Sequence, residues 1–195
     1  MALMKQILIL NGPPGCGKDA LASHIAENVK TAKHLMFKES LYKLALDAAG
    51  LQSHYTELFT DRQLKESVAT SPFYVAGQKV SPRQWLIHIS ENLIKPNFGK
   101  SFFGDKAASV TAASNAKLFV FSDGGFKEEV LPLIDVGHVT IIQIKRPNGS
   151  FNGDSRNWLT PEMFPFGSVD MFTLNNSGTL KQFLQEGLDS IRDYK

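Results

Sequence analysis

The chain has 195 residues, enough for one domain or for one core carrying a sizeable insertion. Hydrophobic residues make up 43% and charged residues 21%, and 21 basic against 19 acidic residues leave a formal net charge of +2, so charge alone gives no reason to expect nucleic acid. No apolar stretch approaches the ~18 residues of a membrane span, no signal-peptide core opens the chain, and a single cysteine, Cys16, rules out an internal disulfide, so a cytoplasmic, non-membrane protein is expected.

Ile7, Leu8, Ile9 and Leu10 form a continuous apolar run that suits a strand buried on both faces of a parallel sheet. Asn11-Gly12-Pro13-Pro14 stops it, and after Lys18 the apolar residues Leu21, Ile25 and Val29 recur at helical spacing. Gly12, Gly17 and Lys18 complete the pattern G-x-x-x-x-G-K between that strand and that helix, with Gly15 as a further glycine inside it. Glycines let successive backbone N–H groups turn inward onto phosphate oxygens, and the helix N-terminus adds a favourable dipole. Gly12, Gly15, Cys16, Gly17, Lys18, Asp19 and Ala20 are therefore the expected ATP-binding residues, with Lys18 reaching the β- and γ-phosphates. Where the motif has Ser or Thr to hold magnesium, this chain has Asp19. A carboxylate there is tolerable only with Mg2+ between it and the phosphates, because two like charges ~4 Å apart cost roughly 4 kcal/mol at an effective dielectric of about 20.

Residues 33–37 read as a second strand and 39–49 as a helix stopped by Gly50. A further helix is expected over 54–67, carrying Arg62 and Lys65, and a loop over 71–77. Ser81-Pro82-Arg83-Gln84 is a capping-box helix start, with Trp85, Leu86, Ile89 and Leu93 as its apolar face until Pro96. A small alanine-rich helix follows over 105–115, then a buried strand over 117–121 ending in Ser122-Asp123-Gly124. Residues 126–134 read as a short helix interrupted by Pro132, 139–144 and 170–174 as two more strands, and 178–192 as a closing helix. The alternation predicts an α/β fold: a five-stranded, mainly parallel sheet flanked by helices in a single domain over 1–195. Two excursions depart from it, a helical insertion over 38–116 and a Pro-, Gly- and Asn-rich segment over 145–169 that reads as a lid.

GPPGCGKD, SPRQWL with NLIKPNFG, FSDGGFKEE and TLNNSGTLKQFL occur in the order seen in the P-loop nucleoside monophosphate kinases. The chain resembles that family, most closely the deoxynucleoside monophosphate kinases of tailed bacteriophages. The resemblance implies a P-loop kinase fold and transfer of the γ-phosphoryl group of ATP, with Mg2+, to a (deoxy)nucleoside monophosphate. It also implies that Arg146 and Arg156 on the lid act with Lys18 in catalysis, and that a phage-encoded chain would work in the host cytoplasm. A homodimer is one option for its assembly.

Other candidates are weighed on their chemistry. Asp123 ends a buried strand on the loop's side of the sheet, where a metal ligand and a turn residue before Gly124-Gly125 are both reasonable readings. Arg83, in the first turn of a capped helix, and Lys38, at the end of the second strand, are candidates for the monophosphate's phosphate against simple surface solvation. Arg62 and Lys65 lie three apart on a helix, Trp85 could line a base pocket or the core, and Phe73 and Tyr74 are base-stacking candidates. The histidines have no metal-ligand spacing, and no N-K-x-D motif of a GTPase is present. The alternatives to a nucleoside monophosphate kinase are a small-metabolite kinase of the phosphomevalonate or dephospho-coenzyme A type, and a regulator that holds ATP without transferring phosphate.

Overall fold

Ile7, Leu8, Ile9 and Leu10 are all fully buried, as a central strand covered on both faces requires. The computed structural model describes residues 4–192. The chain runs β1 (Lys5–Asn11), α1 (Lys18–Asn28), β2 (Ala32–Leu35), α2 (Lys38–Ala48), a 3-10 turn (Ser53–Thr56), α3 (Glu57–Thr60) and α4 (Arg62–Glu66). Next come β3 (Tyr74–Val75), β4 (Gln78–Lys79), α5 (Pro82–Ile87), a π-helical stretch (His88–Ile94), α6 (Lys95–Phe98) and α7 (Phe102–Ala113). β5 (Leu118–Gly124), α8 (Lys127–Ile134), β6 (Gly137–Lys145), a 3-10 turn (Pro161–Met163), β7 (Val169–Asn175) and α9 (Leu180–Asp189) complete it. Among the described residues no helix is long and apolar enough to cross a membrane.

The chain forms two compact units, one of residues up to Phe37 and from Gly104 onward, the other of Lys38–Phe103. In the first, a five-stranded sheet has the order β2-β5-β1-β6-β7, and every pairing is parallel. This is the expected α/β architecture. Alternate residues of β1 face opposite cores. Ile7 and Ile9 pack with Phe119, Phe121, Val130 and Leu133 on one side, while Leu8 and Leu10 pack with Leu21, Ile25, Val120 and Phe183 on the other. Each such side chain contributes about 1.5–3 kcal/mol on burial. The chain leaves β1 toward β2 on one flank and later crosses to β6 on the other, so the carboxyl end of β1 is the point where the winding reverses.

The second unit is built on a column of rings. Tyr42, Phe59, Phe73, Trp85 and His88 stack in sequence with centroid separations of 5.2, 5.5, 5.4 and 5.8 Å. Trp85 also donates its indole N–H to the Ala45 carbonyl at 2.9 Å. Ser81 and Gln84 form the expected capping box at the start of α5.

Several elements depart from expectation for identifiable reasons. The helix expected over 54–67 is three pieces: a 3-10 turn runs into α3, and α3 parts from α4 because Asp61 is extended and turns its carboxylate onto the N–H groups of Gln63 and Leu64 as a new N-cap. The loop over 71–77 contains one arm of a hairpin whose two-residue turn, Ala76-Gly77, has φ of 49° and 80°. The helix carrying Trp85 does not stop at Pro96. It widens into the π-helical stretch, where the Lys95 N–H reaches back five residues to the Ser90 carbonyl, and continues to Phe98. α8 runs through Pro132, whose missing N–H leaves the Glu128 carbonyl without its helical donor. β2 ends at Leu35 instead of 37, since the Phe37 N–H is taken by the Asp123 carboxylate at 2.9 Å.

Candidate functional site

The loop between β1 and α1 is held from beneath. Gly17, at the N-cap of α1, has φ 103°, and no side chain caps the first turn. A Cβ there would lie 2.9 Å from both Asn176 Nδ2 and Phe183 Cε1, so any side chain is costly on two grounds, crowding and a left-handed backbone. Asn176, at the end of β7, donates from Nδ2 to the Cys16 carbonyl at 2.9 Å and from its backbone N–H to the Lys145 carbonyl at 2.7 Å. Lys18 is buried, and its ammonium donates to the carbonyls of Gly12 (2.6 Å) and Pro13 (2.8 Å). Burial pushes the Lys18 pKa down, and the nearby Arg156 cation adds to that, against opposing effects from Cys16 and Asp19. Cys16 itself is buried, so the thiol is not presented to solvent. Asp19 and Ala20 are exposed in the first turn of α1.

At the adjacent strand end, β5 pairs residue for residue with β1 up to Ile9–Phe121, then inserts one extra residue before Asn11–Gly124. Such a bulge re-aims side chains at a strand end. Asp123 accepts from the Phe37 N–H, and Ser122 lies 2.7 Å from Asp19 Oδ1 and 2.9 Å from His34 Nε2. Asp123 is buried.

The segment after β6 packs on the same loop. Arg146 Nη1 donates to the Gly15 carbonyl at 2.6 Å. Arg156 makes a two-point contact with Asp154, Nε to Oδ1 at 2.9 Å and Nη2 to Oδ2 at 2.7 Å. That guanidinium holds the Asp154 carboxyl at about 2, and Asp154 in turn raises Arg156, with smaller contributions from Asp123 and Glu129. Asn11 clamps the chain just beyond. Its amide donates to the carbonyls of Gly124 (3.1 Å) and Asn157 (3.0 Å), and its Oδ1 accepts from the Leu159 N–H at 2.9 Å.

Lys18, Asp19, Asp123, Arg146 and Arg156 therefore all lie in the first unit, around one loop and the ends of β1 and β5. Lys38, Arg62, Lys65, Arg83 and Trp85 lie in the second. There Arg83 pairs with Glu66 at 2.5 Å, with both side chains about half exposed. Arg62 and Lys65 share α4. Phe73 is buried with rings stacked on both faces, which removes it as a surface for a base, whereas Tyr74 is exposed. Asn11, Ser122, Asp154 and Asn176 were missed by sequence reasoning. Their partners lie 103 or more residues away in most cases, and only Asp154, two residues before Arg156, offered a local signal.

Mg2+ is the metal implied by the loop. The carboxylate oxygens of Asp19 and Asp123 are hard donors of the kind that fits it, and Mg2+ commonly takes one or two carboxylates beside phosphate and water. No family model matches the chain, and no curated protein matches it. Among solved structures it is similar to a gluconokinase from Sinorhizobium meliloti 1021 (TM-score 0.41, 14% identity, 99% of this chain and 94% of that one). It is likewise similar to a chain from Chloroflexus aurantiacus J-10-fl (TM-score 0.48, 13% identity, 100% of both). A sugar kinase from Janibacter sp. HTCC2649 gives a TM-score of 0.40 at 11% identity over 95% of this chain and 93% of that one.

Proposed function

We propose that the protein transfers the γ-phosphoryl group of ATP to a (deoxy)nucleoside monophosphate, with Mg2+. The observation that carries this reading is that Lys18 lies under the glycine loop while Arg156 packs on Gly125 at the adjacent strand end, near enough for its charge to add to the burial that lowers the Lys18 pKa. Lys18 is buried and Arg156 about a quarter exposed; two cations near one another are unfavourable alone, and a polyphosphate anion relieves the repulsion. Lys18 exchanges the carbonyls of Gly12 and Pro13 for phosphate oxygens. The N–H groups from Gly15 to Ala20 cradle the same phosphates at the start of α1. Asp154 occupies the Nε–Nη2 edge of Arg156 and so leaves the other edge of the fork for the transferring group. Arg146, exposed beside the loop, is the second lid cation.

Asp19 and Asp123 are the residues that would hold Mg2+, which supplies charge neutralisation across the β- and γ-phosphates when bound. Lys38, Arg62, Lys65 and Arg83 are assigned to the acceptor's phosphate, whereas Trp85, stacked between Phe73 and His88 with its N–H on Ala45, belongs to the column of rings and offers no face to a base. The exposed pair of Arg83 with Glu66 is weakly held and readily exchanged for an anion. Phosphoryl transfer asks the protein for positioning, positive charge and exclusion of water, and little covalent chemistry.

The Gly-Lys-Asp ending of the loop also fits a small-metabolite kinase, so the test is a panel of acceptors. ADP formation from ATP should depend on one or a few of the eight common ribo- and deoxyribonucleoside monophosphates. ADP formed only with phosphomevalonate, dephospho-coenzyme A or gluconate would move the protein to the small-metabolite reading. Nucleotide binding with no ADP from any acceptor would make it a regulator.

A further inference from the structure

Ser122 is fully enclosed near the end of β5, in the bulge between the pairs Ile9–Phe121 and Asn11–Gly124, and touches two side chains from other elements. Its hydroxyl lies 2.7 Å from Asp19 Oδ1 on α1 and 2.9 Å from His34 Nε2 on β2. A serine has one proton to donate, and a carboxylate oxygen can only accept. The Ser122 proton therefore goes to Asp19, and the contact with His34 must be made by a proton on the imidazole Nε2. The row is directional: His34 Nε2–H donates to Ser122 Oγ, and Ser122 O–H donates to Asp19 Oδ1.

Asp19 is exposed in the first turn of α1, where a short side chain would otherwise exchange among rotamers. We propose that Ser122 and His34 are positioning residues that hold the Asp19 carboxylate by Oδ1 and turn its remaining oxygen toward the divalent cation. The proposal rests on the assignment of Asp19 to magnesium made above. It explains how a carboxylate serves at a position where a hydroxyl is usual. The hydroxyl is supplied one layer back, by the residue immediately before Asp123 on β5. Asp123 is held by the Phe37 N–H and Asp19 by Ser122. Groups that orient a metal-bound carboxylate commonly change metal affinity about 10- to 100-fold when removed.

Two measurements test it, neither of them activity. In the wild-type protein, 15N shifts of the His34 ring should show Nε2 protonated; an unprotonated Nε2 overturns the row. Mn2+ affinity of the enzyme–ADP complex, read by electron paramagnetic resonance, should fall about 10-fold or more in Ser122→Ala. The loss should be smaller in His34→Ala, and Ser122→Thr, which restores the hydroxyl, should recover most of it. Wild-type affinity in Ser122→Ala, with a clear loss in Asp19→Ala, overturns the brace and leaves the metal assignment standing. Wild-type affinity in Asp19→Ala removes the metal assignment itself.

Discussion

Replacing the loop glycines one at a time by alanine separates backbone strain from crowding. Gly15 has φ 75° and nothing within 4 Å of an added Cβ, so Gly15→Ala carries strain alone, about 1–2 kcal/mol. Gly17 has φ 103°, and its Cβ would meet Asn176 Nδ2 and Phe183 Cε1 at 2.9 Å. Gly17→Ala thus adds an overpacking cost of about 1–3 kcal/mol, for a total of roughly 2–5 kcal/mol. Gly12 would bring its Cβ within 2.6 Å of the Ile144 carbonyl oxygen, a backbone atom that cannot swing aside. Against a total stability of about 5–15 kcal/mol, Gly17→Ala should remain folded but weakened. Urea unfolding with linear extrapolation reads these differences, and calorimetric titration with ADP reads their effect on the loop. ADP affinity should fall most in Gly17→Ala, where displacing Asn176 frees the Cys16 carbonyl. A Gly17→Ala protein within ~0.5 kcal/mol of wild type, or less destabilised than Gly15→Ala, would refute the reasoning.

Three further predictions concern the surrounding residues. The Asp154 carboxyl, at about 2 when folded against 3.8 ordinarily, contributes stability present above about pH 4 and lost as pH falls toward 2. The destabilisation of Asp154→Asn, about 2 kcal/mol near pH 6, should therefore shrink toward pH 3 in urea midpoints; a pH-independent difference counts against the pairing with Arg156. Leu159 and Phe164 are buried in the sheet's core, so the lid proposed over 145–169 would close only over residues 147–156. Hydrogen exchange should slow there with a two-substrate mimic beyond ATP alone, while residues 157–164 stay protected throughout; equal protection of 147–156 in both states contradicts closure. Cys16, at 1% exposure, should react slowly with iodoacetamide and more slowly still with ADP bound, and rapid labelling of the native protein would contradict its placement.

The parts of the molecule legible in the sequence are those dictated by neighbours along the chain. β1, the glycine loop and α1 follow from an apolar run, a stop and a helical period within two dozen residues. The Ser81–Gln84 cap follows from a four-residue pattern. What stayed hidden depends on contacts between distant segments. The bulge that sets Ser122 and Asp123 exists only in the pairing of β5 with β1. Asn176 reads as one more polar residue after a strand until β7 brings it beneath Cys16. Asp61 interrupts a helical period because its carboxylate finds two nearby N–H groups, a local competition that periodicity alone does not weigh.

Phosphoryl transfer at the Lys18 loop can be followed through the label of [γ-32P]ATP. Incubated with Mg2+ and each monophosphate in turn, the protein should place the label in the β-position of the corresponding nucleoside diphosphate. A Lys18→Ala protein that still unfolds cooperatively should transfer at least ~100-fold less, since the cation that stabilises the transferring charge is gone. Label that appears only as inorganic phosphate, or stays in ATP with every monophosphate, would contradict the account.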